Sequence, residues 1–352
     1  SSGPNSRMGN RSQTKRLTPV GLIFALLGVV VFVYFVWKAN PTEILANIKQ
    51  LGAGFLIVIA ISALRPIVRA IAWTRCFEGP ERLRFIDAFS AYLIGDAVGT
   101  LVPLGIVVSE PTKAAIVRDR VPLLTGLSAL AIENIFYSLS VALFIFAGTV
   151  ALLLSHSVRR PLLIVSICAM AIALLLIAVS FLIIKKQWRF LSGSLGLVAR
   201  SERRRDLFQK SVDRMRALED RVYGFYARNR SRVFPILLLE AGFHISGILE
   251  VYTVLYFITD QPLLLTAFVL ESVNRVINVV FKFVPLRLGV DEAGSGWITE
   301  VLKLGRTTGV TLAIVRKARI VCWTAIGVIL LVRRGLSLQD VVRGGEKSVA
   351  ES

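Results

Sequence analysis

The chain has 352 residues, 55% of them hydrophobic, and a formal net charge of +19; its mean hydropathy is +0.67. Repeated apolar runs of about 20 residues, the length that a bilayer core of roughly 30 Å asks of a helix, exclude an ordinary soluble domain. Such basicity would suggest nucleic acid in a soluble protein, but here Lys and Arg sit between apolar segments. Cytoplasmic loops beside anionic lipid explain them, and no nucleic-acid partner is expected.

In chain order, Ser1–Arg7 reads as a cloning scar before a native start at Met8. The run Val20–Trp37 is longer than a signal-peptide core and lacks a small-residue cleavage site, so it reads as a retained first span. Apolar length gives spans near 19–38, 51–73, 123–154, 161–184, 233–258 and 309–332. Two further segments, 86–118 and 263–304, are apolar but interrupted by Pro, Gly and charge. Cys76, Cys168 and Cys322 are scattered, and His156 and His244 stand in no metal-ligand spacing. No disulfide framework, metal or other cofactor is expected.

The stretch 185–232 holds fourteen basic and five acidic residues and is expected on the cytoplasmic side, with both basic tails. Parity then makes 86–118 enter and leave on the cytoplasmic side and 263–304 on the outer side. The expected fold is an all-α polytopic membrane protein: about six spanning helices plus two oppositely inserted re-entrant helical hairpins related as an inverted repeat. The domain reading is 1–17 as scar and tail, 18–335 as transmembrane domain and 336–352 as cytoplasmic tail. The two turns resemble each other: Val102-Pro103-Leu104-Gly105 leads to Ser109-Glu110, and Val284-Pro285-Leu286 leads through Gly289 to Asp291-Glu292.

Short helices are expected after each turn, with Ser109 and Asp291 of N-cap type and Pro111 in a first turn. Their free N–H groups suit an anion, or each cap simply completes its own helix. Glu271, Asn274, Arg275, Asn278 and Lys282 fall on one helical face, as a polar cavity wall or as an internal Glu271–Arg275 pair that locks helices together. Arg65 and Arg69 read either as snorkelling residues or as head-group ligands. Asp96, Glu133, Asn134, Glu240 and His244 interrupt apolar runs and are expected to face the interior, with Lys113 and Lys317 balancing acids or meeting phosphate. Arg316 and Arg319 suggest a basic cluster on the last helix. The charged stretch with Leu207, Phe208, Val212, Met215, Leu218 and Val222 reads as an interfacial helix or a solvated connector.

The pattern Pro103-Leu-Gly with Glu110-Pro-x-Lys113, then Glu133-Asn134, then Pro285 through Gly289 and Glu292, resembles the lysylphosphatidylglycerol synthase transmembrane-domain family, also called flippase-like, over about residues 18–335. The resemblance implies a multi-pass protein of a bacterial or archaeal cytoplasmic membrane that moves lipids between leaflets. Glu110, Lys113, Glu133, Glu292 and the Pro/Gly turns would line its central site. Synthase members carry a soluble aminoacyl-transferase domain after the membrane part. This chain ends about 20 residues after its last span, so lipid aminoacylation is not expected.

The leading expectation is a non-enzymatic translocase whose partners are membrane lipids with anionic or zwitterionic head groups. No nucleotide-binding Gly-rich motif is present in the sequence. The alternatives are an intramembrane lipid-modifying enzyme, built on Glu240 and His244, and a non-catalytic partner of a lipid or glycan synthase. Cargo, direction, energy source and oligomeric state are not read from the sequence.

Overall fold

The computed structural model describes residues 30, 33–34, 36–38, 40–101, 105–155, 160–186, 202–259, 262–281, 284 and 287–334. Some side chains at 106–107 and in parts of 161–186 and 202–215 lie outside that description. Most of the expected first span and both expected tails also lie outside it, as do Pro103, Lys282 and Pro285.

Every regular element among the described residues is helical. α1 (Pro41–Leu51) begins on Pro and ends at Gly52, whose φ of 42° closes the helix. α2 (Gly54–Ser62) and α3 (Leu64–Arg75) form one apolar stretch of 22 residues, bent at Ala63. Pro66 causes the bend: it offers no N–H to the Ser62 carbonyl, and its ring crowds that carbonyl. The Ser62 hydroxyl donates to the Ile59 carbonyl and accepts from Trp323 Nε1 at 2.7 Å, tying the bend to the last helix.

Two pairs of unequal helices follow the same plan. α4 (Phe85–Leu101) has 17 residues and α5 (Gly105–Ile116) has 12. α10 (Leu264–Val280) and α11 (Val290–Val301) repeat those lengths. Between the pairs run α6 (Leu123–Ser155), α7 (Arg160–Lys186), α8 (Glu202–Arg228) and α9 (Arg230–Ile258), and α12 (Arg306–Arg333) follows the second pair. Among the described residues three stretches are long and apolar enough to cross a bilayer: Gly54–Arg75, Leu123–Ser155 and Arg230–Ile258. α7 and α12 stand where two more spans are expected. α12 has the length, but Arg316, Lys317 and Arg319 interrupt its centre.

Among the described residues the two largest apolar clusters lie on either side of the charged groups. One gathers Trp73, Tyr92, Phe225 and Ile236; the other gathers Val58, Val251, Leu255, Ile298 and Leu312. Arg65 and Arg69 fall between them along α2 and α3, as Glu240, His244 and Glu250 do along α9. The charged residues therefore occupy a layer sandwiched between two greasy ones.

The C-terminal half of α8 docks on the rest of the protein and is not a free connector. Phe225 is buried against Phe136, Arg221 donates to Thr125 Oγ1 at 2.8 Å, and Arg228 pairs with Glu78 at 2.7 Å. Val222 packs on the first cluster, whereas Leu207, Phe208, Val212 and Met215 lie outside the described side chains.

Glycines set the closest helix contacts. A Cβ on Gly105 would stand 1.7 Å from the Gly99 carbonyl oxygen, so only glycine lets α5 begin against α4. Gly148 of α6 meets Ser272 of α10, and Gly327 of α12 meets the Leu93 carbonyl and Ala97 of α4. Gly105→Ala must push backbone apart and is expected to cost about 1–3 kcal/mol or more, the range for overpacking, read as a lowered melting temperature in detergent.

Candidate functional site

The helix starts differ from the expected caps. α5 begins at Gly105, so Ser109 lies inside it and Pro111 is an interior residue rather than a first-turn one. α11 begins after Gly289, whose φ of 80° glycine tolerates. Glu292 Oε2 accepts the Gly289 N–H at 2.8 Å, so Glu292 caps its own helix and Asp291 is not the cap.

The polar layer has four linked parts. In the first hairpin, Lys113 Nζ lies 2.8 Å from Asp96 Oδ1 and 2.9 Å from Glu110 Oε1, and 4.0 Å from the centre of the Tyr92 ring. Lys113 is buried, whereas the Asp96 side chain is 59% exposed, so this part opens to the surrounding medium. Lys113 thus balances acids, one of its two expected roles.

In the second part, Arg69 of α3 points inward. Its Nε and Nη2 donate to the two Glu133 oxygens at 2.5 and 2.7 Å, and Nη2 also donates to Asn134 Oδ1 at 3.1 Å. The guanidinium lies over the Tyr137 ring, 3.8 Å from its centre. Arg69 does not snorkel.

The third part gathers the most charged groups. Glu271, fully buried, accepts from Arg275, from Arg65 Nη2 at 3.3 Å and from Asn274 Nδ2 at 3.2 Å, with Arg316 Nη2 at 3.7 Å. The internal Glu271–Arg275 pair is therefore formed, and side chains from α3 and α12 cover the stripe. Glu250 of α9 holds Arg65 Nε at 2.9 Å and Arg319 Nε at 3.2 Å. Arg65 is thus another inward residue, not a snorkelling one. Four guanidiniums face two carboxylates here. The Nε groups of Arg65, Arg275 and Arg319 make no aligned hydrogen bond, and neither do Asn274 Oδ1 and Asn278 Oδ1. Arg316 Nη1 carries the chain onward to Ser295 Oγ at 3.1 Å.

The fourth part belongs to α11 and α12. Lys317 Nζ lies 2.6 Å from Glu292 Oε1 and 3.5 Å from Asp291 Oδ2, and Arg287 Nε lies 3.1 Å from Asp291 Oδ1. Asp96, Glu110, Lys113, Arg69, Glu133, Asn134, Arg65, Glu271, Asn274, Arg275 and Glu292 are thus brought into one layer. Lys282, Pro103 and Pro285 lie outside the described residues. Glu240 and His244 do not bond each other. His244 Nε2 lies 3.1 Å from Ser140 Oγ while Nδ1 has no partner, so this Ser–His contact lacks an orienting group.

Sequence reasoning missed Glu250, although it continues the α9 face of Glu240, His244 and Gly247 at helical spacing. Gly247 marks the same place: a Cβ there would lie 2.4 Å from Glu271 Oε1 and 2.8 Å from Arg65 Nη2. Asp291 was read as a cap rather than as the ion-pair partner it is.

The profile of the lysylphosphatidylglycerol synthase TM region matches residues 20–328. The chain belongs to this family. The match takes in every residue of the polar layer, and with the three apolar stretches it makes the protein a membrane protein. Comparison with curated proteins and with solved structures gives no match. For this member of the synthase TM-region family, then, the site has to be read from its own residues.

Proposed function

We propose that this chain is a lipid translocase that carries a lipid with a polar or anionic head group between the leaflets of a prokaryotic cytoplasmic membrane. The observation that carries the reading is the third part of the layer. Arg65, Arg275, Arg316 and Arg319 against Glu250 and Glu271 leave two formal positive charges in excess. An Arg at bilayer depth costs about 2.5–3.5 kcal/mol on insertion scales; the Arg275 Nε makes no hydrogen bond, and those of Arg65 and Arg319 lie 2.9 and 3.2 Å from Glu250 without an aligned one. A phosphate passing with its head group would supply the missing acceptors, while the acyl tails stay in lipid.

The architecture supports movement. A helix of 12 residues rises about 18 Å, short of a hydrocarbon core of roughly 30 Å. α5 and α11 therefore suit re-entrant arms, and the matching 17- and 12-residue lengths of the two pairs suit an inverted repeat. The cross-contacts agree: the helix after each hairpin lays a glycine on the first arm of the other, Gly148 on Ser272 and Gly327 on Leu93 and Ala97. The basic tails support a cytoplasmic side for both termini. The protein is taken to act without covalent chemistry.

The test is head-group accessibility in proteoliposomes, with labelled phosphatidylglycerol and phosphatidylethanolamine quenched from outside. The unmodified protein is expected to expose inner-leaflet label. Arg275→Gln is expected to slow this at least tenfold, a loss of about 1.4 kcal/mol of transition-state stabilisation. Its fold should survive, because Glu271 keeps Arg65 and Arg316. Equal rates in the folded variant and the unmodified protein would sink the reading. A second reading, a non-transporting partner of a lipid or glycan synthase, is favoured by the covered state of Glu271 and Arg275; it predicts that neither protein moves either lipid.

A further inference from the structure

Glu240 stands apart from the rest of the polar layer. It sits on α9 with 1% exposure, and both carboxyl oxygens are buried without a hydrogen-bond partner. The charged groups beside it are Arg69 from α3 and Glu133 from α6. His244, one turn along its own helix, is turned to Ser140 instead. Arg69 is already engaged, with its Nε and Nη2 on Glu133 and Nη2 shared with Asn134.

One guanidinium therefore serves two buried carboxyls. If both were ionised, the second would be a buried charge without a counter-ion, which proteins avoid by keeping a proton on the group. A protonated carboxyl beside a carboxylate has a ready acceptor, and the Glu240 oxygens then gain the hydrogen bond they otherwise lack.

We propose that Glu133 and Glu240 hold one transferable proton between them, and that this pair is the site at which a proton gradient acts on lipid movement. The proposal rests on the translocase reading only in its second half. In one arrangement Glu240 carries the proton and Glu133 is ionised against Arg69. In the other, the Glu240 O–H bond breaks, the proton bonds to Glu133, and Arg69 moves its ion pair from Glu133 to Glu240. Each arrangement holds one carboxylic acid, one carboxylate and one guanidinium, so the swap itself moves no net charge; a gradient does work on it where the proton enters the pair from one face of the membrane and leaves it to the other. The swap moves the α3 arginine between α6 and α9. It also changes its hold on Asn134, which stands beside Glu110 of the first hairpin. The exposed Asp96 and the Lys113–Glu110 pair then offer a route for exchange with the medium.

Two measurements test this on the full-length protein. Infrared difference spectra of the protein in nanodiscs at neutral pH, with no transported lipid required, read protonated carboxyl directly. A deuterium-sensitive carboxylic band is expected in the unmodified protein and should be lost in Glu240→Gln. It should also be lost in Glu133→Gln, where Glu240 ionises to take Arg69. Glu240→Gln replaces a neutral group by a neutral group of the same shape, so its melting temperature should not fall. If both variants keep the unmodified spectrum, the shared proton is disproved. In proteoliposomes, an imposed pH gradient should change the initial rate of label exposure several-fold for the unmodified protein and leave it unchanged for Glu240→Gln. A protein that moves lipid equally with and without the gradient overturns the coupling but not the translocase. A protein that moves no lipid overturns the translocase, while the infrared result still decides the proton pair.

Discussion

Glu271→Gln is expected to destabilise the protein by about 3–5 kcal/mol, the range for removing one partner of a buried ion pair. Glu271 is fully buried and is the common acceptor of Arg65, Arg275 and Arg316. Without its charge, Arg275 loses its carboxylate, Arg65 keeps only Glu250, and Glu250 must answer for the whole group. Gln is nearly isosteric, so packing changes little and the effect isolates the charge. Glu300→Gln serves as the comparison: the Glu300 side chain is 53% exposed in its pair with Arg306, and its loss should cost less than about 1 kcal/mol. Melting of both variants in the same detergent separates the cases. Equal melting temperatures for the two would mean that the deep layer is hydrated rather than dry.

The second large effect is expected at Arg69. Its guanidinium satisfies both oxygens of fully buried Glu133 and the Asn134 carbonyl oxygen, while its face covers Tyr137. Arg69→Gln strands the Glu133 carboxylate and should cost about 3–5 kcal/mol. Glu133→Gln alone strands Arg69 less severely, because Glu240 stands beside it as a second acceptor. The double variant removes both charges and should recover most of the loss, leaving a coupling energy at or above the roughly 0.5–3 kcal/mol seen for contacting residues. Strict additivity of the two single losses would show that the residues act independently, contrary to the bidentate geometry.

Much of this was legible from the sequence. Apolar length located the stretches at Gly54–Arg75, Leu123–Ser155 and Arg230–Ile258, because hydrophobicity over 20 residues is a property of composition alone. Periodicity put Glu271, Asn274 and Arg275 on one face and offered the i,i+4 pair that forms. The partners could not be read. Arg65 lies 206 residues from Glu271, and no local pattern encodes a contact across that distance. Ser109 and Asp291 were read as caps because their residue types favour that position, but Gly99 lets Gly105 start α5 earlier, and the Glu292 side chain closes α11 from inside. The charged face of α8 matches a lipid surface as well as a protein one, so its docking through Phe225 and Arg228 had no separate signal. Glu250 was not singled out, although its phase on α9 with Glu240 pointed inward.

One consequence follows from the glycines of α12. Gly309 rests against Ser295 and Thr299 of α11, and Gly327 rests against Leu93 and Ala97 of α4. Eighteen residues of unbroken helix separate these footings, a rigid strut of about 27 Å. Close contact at both ends lets the strut bear directly on each hairpin, while Arg316, Lys317, Arg319 and Trp323 tie it to its neighbours along the way. A displacement of the second hairpin would therefore reach the first through a single connecting rod, and Lys317, gripping Glu292 midway along it, would act as its latch.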